Sequence, residues 1–178
     1  MEKIIVGISE GKTARPGQLL VSYALGSCVG VCLYDVKIRI AGMAHIILPD
    51  RTYAVGQKNE YKFAADGTRK LLDEMCRQGA QRRYITAKIA GGAKMFGTAE
   101  NDWDIGQRNV IGVKQVLSEE RIRLTAEDTG GNYGRTITFS AVDGIMEVST
   151  VRHPVKRCLL YTSVLTIPVV PLSWLGRS

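Results

Sequence analysis

Histidine is the scarcest reactive residue in this 178-residue chain, which has two, His45 and His153. Any chemistry that pairs an imidazole with another side chain has few candidates. Five prolines and 19 glycines exclude collagen-like and linker-like composition. Acidic residues are missing from one end: all 17 lie in residues 1–152, with 21 of the 24 Lys and Arg, so that part carries +4. Lys156, Arg157 and Arg177 raise the total to +7. With no dense Lys/Arg run, a solvated surface of mixed sign is expected and a nucleic-acid stripe is not. Long apolar runs are also absent. Residues 158–175 come nearest to the roughly 20 apolar residues of a membrane span, but contain Pro168 and Pro171. The apolar run within Met1–Gly7 is too short for an export signal. A cytoplasmic setting is therefore expected, with Cys28, Cys32, Cys76 and Cys158 as free thiols.

The 45% apolar content is enough for a buried core. Residues 3–8, Leu19–Leu25, Val29–Tyr34, Arg39–Leu48 and Tyr84–Ile89 read as strands, with a turn region over Gly11–Gly17 and a Gly26-Ser27-Cys28 corner. Lys62–Gln78 changes to helical period, with Phe63, Leu71, Leu72 and Met75 near one face and Gly79 as the stop. Asn109 is a candidate N-cap for a helix carrying Val110, Val113, Val116 and Leu117. Alternation over residues 122–126, 137–141 and 146–149 predicts an antiparallel meander, with Asp143-Gly144 as a hairpin turn. About eight strands and two helices suit a mixed sheet with helices packed outside. Residues 153–178 lack clear periodicity and are set apart from a domain over residues 1–152.

Cys28 lies at a predicted strand corner, and His45 follows 17 residues later among apolar residues. A thiolate is a nucleophile, a neighbouring imidazole lowers its pKa and later acts as general acid, and a third group orients the imidazole. The bland alternative is a buried cysteine and a satisfied core histidine. Zinc held by Cys28, Cys32 and His45 is a further alternative, although the spacing fits no tight finger or ribbon. Gly91–Gly97 follows a strand but lacks the spacing of a phosphate loop. Gly130–Gly134 reads as a connecting loop, and Asp102 and Asp104 flank Trp103 in a loop or partner contact.

Leu25-Gly26-Ser27-Cys28-Val29, Leu33-Tyr34-Asp35 and Gly42-Met43-Ala44-His45 with Leu48-Pro49 resemble the CheD family of chemoreceptor glutamine deamidases. The resemblance continues, in the family's order, through Lys88–Phe96, Ile105–Val110 and Asp128–Arg135 with Phe139, and ends near Val151. It implies an α/β fold in three layers (α/β/β), with a β-rich mixed-sheet core and outer helices. It also implies Cys28 as nucleophile, His45 as its histidine, and Ser22 at a third catalytic position that is commonly Thr. The implied reaction converts chemoreceptor glutamine side chains to glutamate through a thioester, in bacterial or archaeal chemotaxis. Glutamyl methyl esters would suit the same acyl-enzyme chemistry, and no cofactor or metal is involved. The implied partners are the cytoplasmic helices of methyl-accepting chemoreceptors and a CheC-type phosphatase that acts on CheY. The competing expectation is a binding module for that phosphatase with weak catalysis.

Overall fold

Alternate residues of the Val29–Asp35 strand feed two different cores. Val29, Val31 and Leu33 pack with Leu71, Leu72, Met75, Val113 and Leu117. Cys32 and Tyr34 point the other way, into a cluster with Leu20, Leu25, Ile137, Phe139 and Met146. All seven residues of the strand are buried, as a strand covered on both faces requires. Each fully buried large apolar side chain stabilises the fold by about 1.5–3 kcal/mol.

The computed structural model describes residues 1–95, 104–150 and 153–158. Its elements are β1 (Glu2–Ile5), β2 (Gly11–Ala14), β3 (Gln18–Leu25), β4 (Val29–Asp35), β5 (Ile40–Ile46), α1 (Ala64–Arg77), β6 (Ile85–Gly91), α2 (Ile105–Glu119), β7 (Arg123–Thr129), β8 (Arg135–Ser140), β9 (Met146–Thr150) and β10 (His153–Cys158). One sheet has the order β1-β3-β8-β9-β10, the other β2-β5-β4-β6-β7. The first core lies between the second sheet and the two helices, and the second core lies between the sheets. The layers are helices, sheet, sheet, which is the expected α/β/β order. Gly30 of β4 permits the sheets to approach, since a Cβ there would lie 2.4 Å from Ile137 Cδ1.

Ala64, Thr68, Leu71, Leu72 and Met75 are the buried stripe of α1, at helical spacing. Gly79, at φ 101°, follows the helix, and its N–H donates to the Cys76 carbonyl.

Four expectations need correction. The described residues contain ten strands rather than about eight. Gly11–Ala14 is not a turn but an edge strand antiparallel to β5. The meander does not form: β7 pairs parallel with β6 in the helix-covered sheet, and only β8 and β9 make the expected hairpin. Two-residue alternation shows that one face is buried but does not name the partner strand. Asn109 is not the cap of α2. Asp104 is, its side chain accepting from Gln107 N–H at 3.0 Å, and Asn109 lies inside the helix. Residues 153–158 form β10, antiparallel to β9. Phe96, Gly97, Asp102, Trp103 and residues 159–178 lie outside the described residues.

Candidate active site

Leu20 and Ser22 of β3 both face the inter-sheet core, two residues apart. A bulge then breaks the register with β8 between Ser22 and Leu25. Tyr23 and Ala24 are both exposed, Ala24 takes φ 57°, and Leu25 turns inward in place of residue 24. The chain thus enters the Gly26-Ser27-Cys28 corner, which leads directly into β4. Cys28 is half-buried against the inter-sheet core.

His45 arrives on the same face from β5, where it stands opposite Gly30. It is 2% exposed. Ser22 Oγ lies 2.9 Å from His45 Nδ1 and also donates to the Val6 carbonyl at 2.9 Å. A hydroxyl has one proton, and a carbonyl oxygen can only accept. The Ser22 proton therefore goes to Val6, and the serine oxygen accepts from Nδ1–H. This network assigns the neutral tautomer, which carries its lone pair on Nε2. Among the described residues Nε2 has no hydrogen-bond partner.

The structure therefore joins Ser22 to His45 and places Cys28 on the same face without a Cys28–His45 hydrogen bond. The ionisation state differs from the sequence expectation. Burial pushes the Cys28 thiol above its usual pKa, opposed by a weaker hydrogen bond from its own backbone N–H. Burial also lowers His45 to about 4. The resting state is a neutral thiol and a neutral imidazole, because a low-dielectric site disfavours both charged forms.

The backbone around Cys28 is held by the end of β6 and by α2. Gly92 N–H donates to the Cys28 carbonyl at 2.8 Å, and Ala93 N–H to Gly26 at 2.8 Å. Gly91 takes φ 116°, and a Cβ there would fall 2.1 Å from the Cys28 oxygen, so a side chain is excluded. The glycines at the end of β6, Gly91 and Gly92, thus support the corner rather than cradle a phosphate. From α2, the Asn109 amide reaches the Ser27 and Ile47 carbonyls. Sequence reasoning gave Asn109 a cap role because Asn favours caps; its position inside a helix pattern was the available signal.

A groove of about 750 Å3 opens beside this corner, lined by Tyr23, Ala24, Met95, Tyr133, Arg135 and Thr150 among others. Met95 packs over Gly26. Arg135 is buried, makes a 2.9 Å ion pair with Asp128 and stacks over Tyr133 at 4.3 Å. That pair ties the end of β7 to the start of β8 and fixes the Gly130–Gly134 loop where the chain changes sheets.

Among the described residues no three His, Cys, Asp or Glu side chains gather as metal ligands, so Cys28, Cys32 and His45 are not assembled into a zinc site. No helix of the described residues is long and apolar enough to cross a membrane.

The family model described as CheD chemotactic sensory transduction matches residues 47–150. A probable chemoreceptor glutamine deamidase CheD of Clostridium novyi is 46% identical over 152 residues, 84% of this chain and 94% of the relative. Its namesake in Caldanaerobacter subterraneus is 44% identical over 153 residues, 85% and 94% of the two chains. The one in Syntrophomonas wolfei is 46% identical over 156 residues, 86% and 97%. Among solved structures, the hypothetical protein YfiH of Bacillus licheniformis aligns with a TM-score of 0.44 and 18% identity over 68% of this chain and 51% of that one, too slight a likeness to bear on function. With relatives this similar over nearly their whole length, the chain belongs to the CheD family.

Proposed function

We propose that this protein is a chemoreceptor glutamine deamidase in which Cys28 is the nucleophile, His45 the acid–base and Ser22 the group that orients His45. The Ser22–His45 hydrogen bond carries this reading, because it leaves the Nε2 lone pair free on the face that holds Cys28. The substrate glutamine enters from the groove beside Gly26. Nε2 takes the thiol proton as sulfur attacks the amide carbon. The tetrahedral oxyanion collapses, the C–N bond breaks, and His45 returns the proton to the departing ammonia. Water, deprotonated by Nε2, then attacks the thioester, releasing glutamate and restoring the thiol. Because both resting groups are neutral, the thiolate forms during attack rather than beforehand. The same acyl-enzyme serves a glutamyl methyl ester, with methanol leaving in place of ammonia.

The protein works in the cytoplasm on receptor helices, with a CheC-type phosphatase as its regulatory partner. Residues 1–152 are the catalytic domain. One observation favours the second reading, a docking module for that phosphatase with weak catalysis: no hydrogen bond joins Cys28 to His45. Incubation with a receptor cytoplasmic fragment, followed by mass spectrometry, separates the two. Gln-to-Glu conversion by the wild type, lost in Cys28→Ala and in His45→Ala, supports the enzyme. Equal conversion by Cys28→Ala overturns the mechanism.

A further inference from the structure

Asn109 lies in the second turn of α2, inside the helix, where asparagine is a poor helix former. Its side chain is fully buried, so a tertiary reason is needed for it. Nδ2 donates to the Ser27 carbonyl at 2.9 Å and to the Ile47 carbonyl at 3.0 Å. Both partners are acceptors, so the amide can stand only one way round. Oδ1 is left buried with no partner among the described residues. Ser27 immediately precedes Cys28, and Ile47 follows His45 by two residues.

One amide nitrogen therefore bridges the two segments that carry the thiol and the imidazole, and does so from a third element. The corner and the end of β5 are already anchored to other neighbours: Gly26 and Cys28 to the Gly91–Ala93 segment, Ile47 N–H to the Lys62 carbonyl. Val29 and Gly30, which follow Cys28, also pair with Ile46 and His45 across β4 and β5. Asn109 extends that link past the ladder, to Ser27 of the corner and Ile47 beyond the strand. An amide with an unpartnered oxygen is a costly choice for mere helix packing, which an apolar side chain would serve better.

We propose that Asn109 is a positioning residue that sets the separation of Cys28 and His45 by holding the Ser27 and Ile47 carbonyls on one nitrogen. It touches neither substrate nor the reacting atoms. The proposal rests on the Cys28–His45 reading above, and its test includes an arm that needs no substrate.

Asn109→Asp keeps the shape and removes both donated bonds; Asn109→Ala removes them without adding charge, should the first fail to fold. Leu117→Ala, on the same helix but in the core away from the corner, controls for lost stability. Each protein is assayed at a temperature where near-ultraviolet circular dichroism shows it folded. In the first arm, alkylation of Cys28 by iodoacetamide, located by peptide mapping, is timed with and without His45→Ala. The expected result is that His45→Ala slows alkylation in the wild type and in Leu117→Ala but not in the Asn109 variants, a loss of coupling between the two groups. In the second arm kcat on the receptor fragment falls about a hundredfold while KM stays within about twofold, as for a small displacement of reacting groups. Intact Cys28–His45 coupling in a folded Asn109 variant overturns the proposal. Failure of wild-type deamidation overturns the functional reading instead, and the alkylation arm still decides the role of Asn109.

Discussion

The Ser22 hydroxyl gives its proton to Val6 and receives one from His45 Nδ1, both at 2.9 Å, so a serine acts here as an acceptor toward the imidazole. Removing it should affect both stability and rate. Ser22→Ala leaves the buried Nδ1–H and the Val6 carbonyl unpaired, at a cost of about 1–3 kcal/mol for each buried group left unsatisfied. It also frees the ring to adopt the other tautomer, with its proton on Nε2. Deamidation should fall by about 10² or more, within the range of general acid–base catalysis. Ser22→Thr restores the oxygen and stiffens χ1, so its activity should equal or exceed that of the wild type. Steady-state kinetics of the three proteins check both statements; full activity in Ser22→Ala would remove Ser22 from the mechanism.

The lowered pKa of His45 has a signed consequence for stability. The value is about 4 in the fold against 6.5 for an unperturbed imidazole, and burial is the cause. Between those values the unfolded chain binds the proton and the folded chain does not, so the free energy of unfolding rises with pH through that window. The penalty is fully present below about pH 4, absent above about pH 6.5, and amounts to about 3 kcal/mol. Urea melts across the window should show this slope in the wild type and a smaller one in His45→Gln. Activity should correspondingly stay level from about pH 5 to 7, because the base form persists. An acid limb centred near the ordinary histidine value would contradict the burial of the ring.

Gly91→Ala tests the support beneath the nucleophile. The new methyl would overlap the Cys28 carbonyl at 2.1 Å and would sit at φ 116°, so the corner must move. Gly130→Ala shares the positive φ, at 78°, but meets nothing within 4 Å. Both should lose about 1–2 kcal/mol from backbone strain. Only Gly91→Ala should also lose deamidation and the normal rate of Cys28 alkylation. Equal activity in the two variants would mean that the corner tolerates displacement.

Local chemistry was legible in the residues where a side chain states its own environment. Apolar runs placed β3 and β5, alternation placed β8 and β9, and Asp143-Gly144 marked the hairpin turn between the last two, because those signals depend on neighbours in sequence. Long-range relations were not. Arg123–Thr129 alternates as an edge of either sheet would, and only packing sends Leu124 toward the helix layer. Gly11–Ala14 pairs with β5 through backbone bonds that its composition does not advertise. Cys28 and His45 stood out through rarity and position. Ser22 entered only through family resemblance, since a serine in an apolar strand looks like any other. Asn109 followed the propensity rule for caps, and its real partners lie 82 and 62 residues away.

The end of the chain offers the last test. The family model's match ends at residue 150, and β10 continues the sheet beyond it by pairing Lys156, Arg157 and Cys158 with Val148, Glu147 and Met146. The candidate site draws on β3, β4, β5 and α2, and β10 is separated from β3 by β8 and β9. A chain truncated after Arg152 should therefore keep its deamidation kcat. It should also expose the backbone donors and acceptors of β9, an unprotected edge that favours association. The expected result is a lower melting temperature and concentration-dependent self-association in sedimentation, with unchanged turnover per folded molecule. A second truncation after Cys158 keeps β10 and should match the intact chain in both respects. Loss of turnover on removing residues 153–158 would show that the catalytic domain extends beyond Arg152.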